Sequence, residues 1–202
     1  LLAAPDCTTV AGLRDRAMLH LTYAAGLRVS ELLALQMGDF SDRSLSTVRV
    51  LGKGRRERVL PLWKETQTVL RTWIAVRPSV QVQELFVNRE GRPLSRDGFA
   101  HRLAVHVAAA ARKKPTLAEK RVTPHVLRHS CAMHTLEATG DIRKVSLWLG
   151  HASLQSTEAY LRVDPAEKLA ILAANAAPAV PKGRFRTPDR LLAMLAEIQK
   201  TR

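Results

Sequence analysis

The chain has 202 residues, 46% of them hydrophobic, enough for one packed domain or one domain with an appendage. Global disorder is excluded, and no apolar run reaches the roughly 18–20 residues of a membrane helix. Thirty-two Lys and Arg against eighteen Asp and Glu give a net charge of +14 and a pI near 10.8, an excess that points to a polyanionic partner, nucleic acid first.

The first residues lack a basic region followed by an apolar stretch, so no signal peptide is expected. The chain begins at Leu1 rather than Met and is read as a piece of something longer. Cys7 and Cys131 form no spaced pair and are expected as free thiols in a reducing compartment such as a bacterial cytoplasm or a nucleus.

Apolar residues at helical spacing predict a helix over 13–25, broken by Gly26 and resumed over 29–36, with Arg28 in the break. The period then changes. Thr47 to Leu51 and Arg56 to Leu60 predict two strands joined by Gly52-Lys53-Gly54-Arg55. A helix over 63–76 stops before Pro78, a short strand is expected over 85–87, and Asn88 to Pro93 reads as a turn. Ser95 suits the N-cap of a helix reaching about Arg112, and a basic loop runs from Lys113 to Arg121. Pro124 opens a helix through Glu137, with Gly140 as its stop. Shorter helices are expected over 141–149, 154–160 and 165–174, then a linker over 176–187 and an amphipathic helix over 188–200. The fold class is therefore mainly α with a small antiparallel β-sheet.

Three groups of residues have chemical potential. His125 and Arg128 are three apart in Thr123-Pro124-His125-Val126-Leu127-Arg128-His129, which makes them neighbours on a helix. An Arg offers a fork of donors to phosphate oxygens, and an adjacent His can hydrogen-bond or move a proton. The hairpin carries Lys53, Arg55, Arg56 and Arg58 against only Glu57, and its glycines permit close backbone approach to a ligand. Leu149-Gly150-His151 precedes Tyr160, one of two tyrosines; Tyr23 is expected in the core of the first helix. A phenol of pKa about 10 becomes a nucleophile where several cations stabilise its anion and a phosphoryl transition state. Such a set needs no metal, and the carboxylates form no paired pattern suited to Mg²⁺. His125 and His129 have a spacing that can bind zinc, with Cys131 and His134 close by, but Cys131 faces away from the line joining the two histidines, so no metal site is expected.

Together these segments resemble the catalytic domain of tyrosine recombinases and phage-type integrases. Gly26-Leu27-Arg28-Val29-Ser30-Glu31-Leu32 is similar to the family's first-arginine motif, and Gly52 to Leu62 to its catalytic-lysine hairpin. Thr123 to His129 resembles the HxLRH box, Leu149-Gly150-His151 the LGH box, and Thr157-Glu158-Ala159-Tyr160 the nucleophile box. All five stand in family order over about residues 13–163. The resemblance implies that Arg28 and Arg128 clamp a scissile phosphate while His151 adds a hydrogen bond. It makes Lys53 the general acid for the departing 5′ hydroxyl and gives His125 a proton-transfer role with Tyr160, which forms a 3′-phosphotyrosyl link without ATP, metal or cofactor. Glu31 becomes a structural support of the site.

On this reading residues 1–175 are the catalytic domain and 176–202 a linker and C-terminal helix, and either the helix over 165–174 or the one over 188–200 packs against a neighbouring protomer. An N-terminal DNA-clamping domain is expected to be missing from the fragment. The partners implied are double-stranded DNA, touched also by Arg55, Arg56, Arg58, Lys113 and Lys114, and further copies of the chain in a tetrameric synapse. The setting is a bacterial cytoplasm at the nucleoid, and the role preferred is that of a mobile element. The competing functions are a type IB topoisomerase, which relaxes supercoils with similar chemistry, and a DNA-binding accessory protein that has lost catalysis.

Overall fold

The computed structural model describes residues 1–40, 44–52, 56–151 and 157. All lie in the first of the two units into which the chain divides, Leu1–Arg162. The expected elements over 154–160, 165–174 and 176–200 fall outside the described residues, apart from Thr157.

The first helix, α1, spans Val10–Ala24 and starts earlier than the apolar spacing predicts, because the Thr9 side chain accepts from Gly12 N at 3.0 Å and caps it. Its buried face holds Ala17, Met18, Leu21 and Ala24. After the break comes α2, Val29–Ala34, two residues shorter than expected because Leu35 turns extended and gives its carbonyl to Leu85 N. Strands β1, Thr47–Leu51, and β2, Glu57–Pro61, pair antiparallel as a two-stranded sheet, with Val50 opposite Arg58 and Leu51 opposite Glu57. Val48, Val50 and Leu60 point into the core, and Val59 points out.

Next is α3, Lys64–Val76, packed on α1 through Val69, Leu70 and Trp73. Trp73 is the largest fully buried side chain, stacks with Phe86 at 6.4 Å, and donates its indole N–H to Leu85 O at 3.1 Å. Truncating such a residue to Ala typically costs about 3–5 kcal/mol. In place of the expected strand over 85–87 there are isolated bridges at Glu84, to Gln36, and at Val87, to Pro93. The backbone over 85–87 is satisfied piecemeal: Leu85 O accepts from Trp73 and Arg77, Phe86 O from Leu94 N, and Val87 O from Arg14.

Ser95 caps α4, Arg96–Ala111. The basic stretch after it contains one 3-10 turn, Pro115–Leu117, with Lys113 and Lys114 exposed. Thr123 caps α5, Pro124–Thr139, which ends at Gly140 and leads through the Asp141 cap into α6, Ile142–Leu149. Both pack near the end of α1, where Trp148 donates to Ala24 O at 3.2 Å. Tyr23 lies at the edge rather than in the core: it is half-buried, tilted against Trp63, with its hydroxyl 2.7 Å from His134 Nδ1.

A buried polar knot fastens α1 to α4. Asp15, 1% exposed, binds Arg14 at 2.8 Å, Arg102 at 2.5 Å and His106 at 2.8 Å. Removing the charge of one partner leaves buried cations uncompensated, so Asp15→Asn should destabilise the fold by about 3–5 kcal/mol. Urea denaturation followed by circular dichroism measures this, and a midpoint equal to wild type would contradict it.

Candidate active site

Glu31 is the centre of the site. It is 5% exposed and stands one turn inside α2. Its Oε2 accepts from the Arg28 backbone N–H at 2.9 Å, and its Oε1 from Arg28 Nη1 at 2.7 Å. Arg58 reaches it from β2 with both terminal nitrogens, Nη1 to Oε1 at 3.2 Å and Nη2 to Oε2 at 2.8 Å. Arg128, from α5, brings Nη1 to 3.7 Å of Oε2. Three guanidinium groups thus meet one carboxylate, leaving a net excess of two positive charges.

Arg128 is held mainly by the backbone. Its Nη1 donates to Gly26 O and its Nη2 to Leu149 O at 2.8 Å, so the α1–α2 break and the end of α6 share one side chain. Gly26 is needed there twice over. Its φ is +57°, and an added Cβ would lie 2.5 Å from Leu149 Cδ2 and 3.2 Å from Cys131 Sγ. Gly150, at φ +63°, ends α6 and turns the chain so that His151 faces the same cluster; a Cβ on it would meet Arg58 Cδ at 3.0 Å.

Electrostatics follow from this crowding. Burial alone would push the Glu31 carboxyl up, but the hydrogen bonds and charges of Arg58 and Arg28 outweigh it and hold the group below the usual glutamate value. His151 is pushed down to about 4, first by burial and then by the charges of Arg128, Arg28 and Arg58, with Glu31 opposing. It is therefore neutral near pH 7. Its Nδ1 lies 2.7 Å from the hydroxyl of buried Thr157.

The other expected residues are placed as follows. His125 is exposed on α5, one turn before Arg128. Arg56 is exposed at the base of the hairpin, whereas Lys53, Arg55 and Tyr160 lie outside the described residues. Arg58, expected among the DNA contacts, has a side chain 10% exposed, with both terminal nitrogens facing Glu31. The physical reason is strand alternation, which puts residue 58 on the face of buried Leu60 and Leu62. Thr157 was not singled out from sequence, although its position in the last motif beside Tyr160 was the available signal. Among the described residues no cluster of three His, Cys, Asp or Glu side chains is arranged to hold a metal.

A cavity of about 350 Å³ opens beside His151 and Gly150, walled by Gly52, Arg56, Arg58, Arg143 and Ser146. A larger one, about 880 Å³, is lined mainly by apolar side chains such as Tyr23, Trp63, Leu147 and Trp148. Arg56, Arg58 and Arg143 outnumber Glu57 in the walls of the smaller cavity, so its lining is net positive and suits an anion, and Arg58 joins it to the arginine cluster. A group that gains negative charge as it reacts, such as a phosphoryl centre, is what the cluster can stabilise.

Residues 1–167 match the model of the phage integrase family. The chain is 41% identical to y4rC of Sinorhizobium fredii, over 96% of this chain and 59% of the relative. It is 40% identical to tyrosine recombinase XerD of Listeria innocua, over 81% of this chain and 54% of the relative. The solved structure of XerA recombinase superposes with a TM-score of 0.71 at 26% identity, over 83% of this chain and 60% of that one. The chain thus spans little more than half the length of these relatives, and its fold is that of tyrosine recombinase catalytic domains.

The depressed basicity of His151 has a direct readout. Its Hε1 resonance should titrate near pH 4 and stay flat between pH 5.5 and 8, because the neutral form is favoured down to about 4. An unfolded histidine titrates near 6.5, so between about 6.5 and 4 the unfolded chain binds the extra proton and His151 withdraws stability as the pH falls. Titration of His151 near 6.5 in the folded chain would refute the assignment.

Proposed function

We propose that this chain, which belongs to the phage integrase family, carries the catalytic centre of a site-specific DNA recombinase. The single observation that carries the reading is the net positive cluster of Arg28, Arg58 and Arg128 around buried Glu31, with neutral His151 beside it. Phosphoryl transfer needs positioning and charge stabilisation more than covalent help from the protein, and the cluster offers both. Double-stranded DNA as partner agrees with the +14 charge and with exposed Arg56, Lys113 and Lys114.

In the proposed reaction the Tyr160 oxygen attacks the scissile phosphorus while the bond to the 5′ oxygen breaks. Arg28 and Arg128 stabilise the charge gathering on the non-bridging oxygens. Lys53 gives a proton to the leaving 5′ oxygen, and His125 takes part in moving the phenol proton. If the Thr157 hydroxyl donates to His151 Nδ1, then Nε2 carries the hydrogen and can donate to phosphate. The 3′-phosphotyrosyl bond replaces the phosphodiester one for one, so attack by the 5′ hydroxyl of a partner strand reseals DNA without ATP. The roles of Lys53 and Tyr160 rest on their motifs alone.

The same reading takes residues 1–175 as the catalytic domain and the working form as a tetrameric synapse, in which the helix expected over 165–174 or that over 188–200 packs on a neighbour. It favours a mobile element in a bacterial cytoplasm at the nucleoid as the setting.

Incubation with a nicked suicide DNA substrate carrying a native site tests the chemistry. Wild type should form a protein–DNA adduct stable to denaturation in the presence of EDTA, and Tyr160→Phe should form none. Arg28→Ala or Arg128→Ala should slow adduct formation by about 10²–10³ or more. An adduct from Tyr160→Phe would remove the nucleophile assignment, and relaxation of supercoils without strand exchange would move the protein to the topoisomerases. Deleting residues 176–202 should weaken cooperative assembly on DNA in gel-shift titrations; unchanged cooperativity would end the packing idea.

A further inference from the structure

We infer that Arg58 is a positioning residue for the reaction proposed above, acting through Glu31 rather than on DNA. The strand register sets it opposite Val50, on the inner face of the hairpin. Its side chain is 10% exposed, and its two terminal nitrogens take both oxygens of Glu31 in a fork. A guanidinium so engaged would have to abandon a buried carboxylate to reach DNA.

The fork decides where the other two arginines can point. Glu31 is a buried anion and must be matched by cation. With Arg58 supplying that match, Arg28 retains one terminal contact to Oε1 while its side chain stays 36% exposed, the most open of the three. Without Arg58, Glu31 would draw on Arg28 and Arg128 alone, and the cluster's surplus would fall from two charges to one. The guanidinium also lies against two bare stretches of backbone. A Cβ on Gly52 would meet Nη1 at 3.3 Å and one on Gly150 at 3.1 Å, so Arg58 links the end of β1 to the bend before His151. Its buried Nε meets no acceptor among the described residues, and the side chain also forms part of the wall of the smaller cavity.

This inference rests on the recombinase reading for the reaction served, and a double-mutant cycle separates the two. Adduct formation at saturating nicked DNA and DNA affinity by fluorescence anisotropy are measured for wild type, Arg58→Met, Glu31→Gln and the double variant, with thermal melts as a check on folding. Arg58→Met should lower the saturated rate by about a hundredfold with DNA affinity within about threefold. In the Glu31→Gln background its further effect should be under about tenfold, because the group it serves is already neutral. Loss of DNA affinity in step with rate, or equal rate losses in both backgrounds, would overturn the inference. If Arg58→Met folds poorly, Arg58→Lys supplies the comparison: it keeps the charge without the fork and should show a slowed rate with near-normal affinity, whereas full wild-type rate would overturn the proposal.

A second readout does not depend on DNA. Binding of inorganic phosphate, followed through the His151 Hε1 resonance, should weaken by about fivefold or more in Arg58→Met, and by much less when Glu31 is already Gln. Unchanged phosphate affinity would overturn the role of Arg58 even with an active wild type. A wild type that forms no adduct, while phosphate affinity still responds to Arg58 through Glu31, would overturn the recombinase reading and leave the positioning role standing.

Discussion

Three cations cannot be brought together in a protein interior without an anion to hold them, and Glu31 is that anion. Arg28, Arg58 and Arg128 come from a helix break, a strand and a distant helix, and meet only at its two oxygens. Two unit charges about 4 Å apart repel by about 4 kcal/mol at the effective dielectric of a protein surface, so the cluster would spread apart without a counterion. One carboxylate suffices to assemble it and leaves it undercompensated. The fold therefore holds a site charged in advance for an anion, with little reorganisation left to the moment of binding.

The elements around the cluster are arranged to keep it fixed. Arg128 is anchored to the carbonyls of Gly26 and Leu149, which ties α5 to the α1–α2 break and to the end of α6. Trp148 adds a bond to Ala24 O from the neighbouring turn. At the far side of the domain Asp15 gathers Arg14, Arg102 and His106 in a second buried knot, which fastens α1 to α4 and, through Arg14, to Val87. The helix that leads into the reactive break is thus held at two places along its length.

Much of this was legible from residue patterns, because the spacing of apolar residues and the caps follow local rules. Ser95, Pro124 and Gly140 marked helix ends that the structure contains. The failures have physical causes. Residues 85–87 have strand-like composition, but their backbone partners are the indole of Trp73 and the guanidiniums of Arg77 and Arg14, which no local pattern announces. Tyr23 fits a helix but lies at its edge, next to a groove formed by elements far along the chain. Arg58 is the instructive case. Charge alone suggested the surface, whereas alternation with Leu60 and Leu62 placed it inside, and only Glu31 makes that burial tolerable. A charged residue in phase with buried neighbours is better read with the buried set when an opposite charge is available elsewhere.

The anchoring of Arg128 has an evolutionary consequence. Main-chain carbonyls exist whatever side chain is attached, so the grip on this arginine is inherited with the path of the backbone rather than with residue identity. Position 149 can change among apolar types without loss of its carbonyl, and the helix surfaces facing outward are free to diversify. The exceptions are Gly26, where a methyl group would collide with Leu149, and Gly150, whose left-handed backbone disfavours any other residue and where a methyl group would press on Arg58. Descendants of this fold can therefore drift widely in composition while transmitting one unchanged geometry for holding an anion.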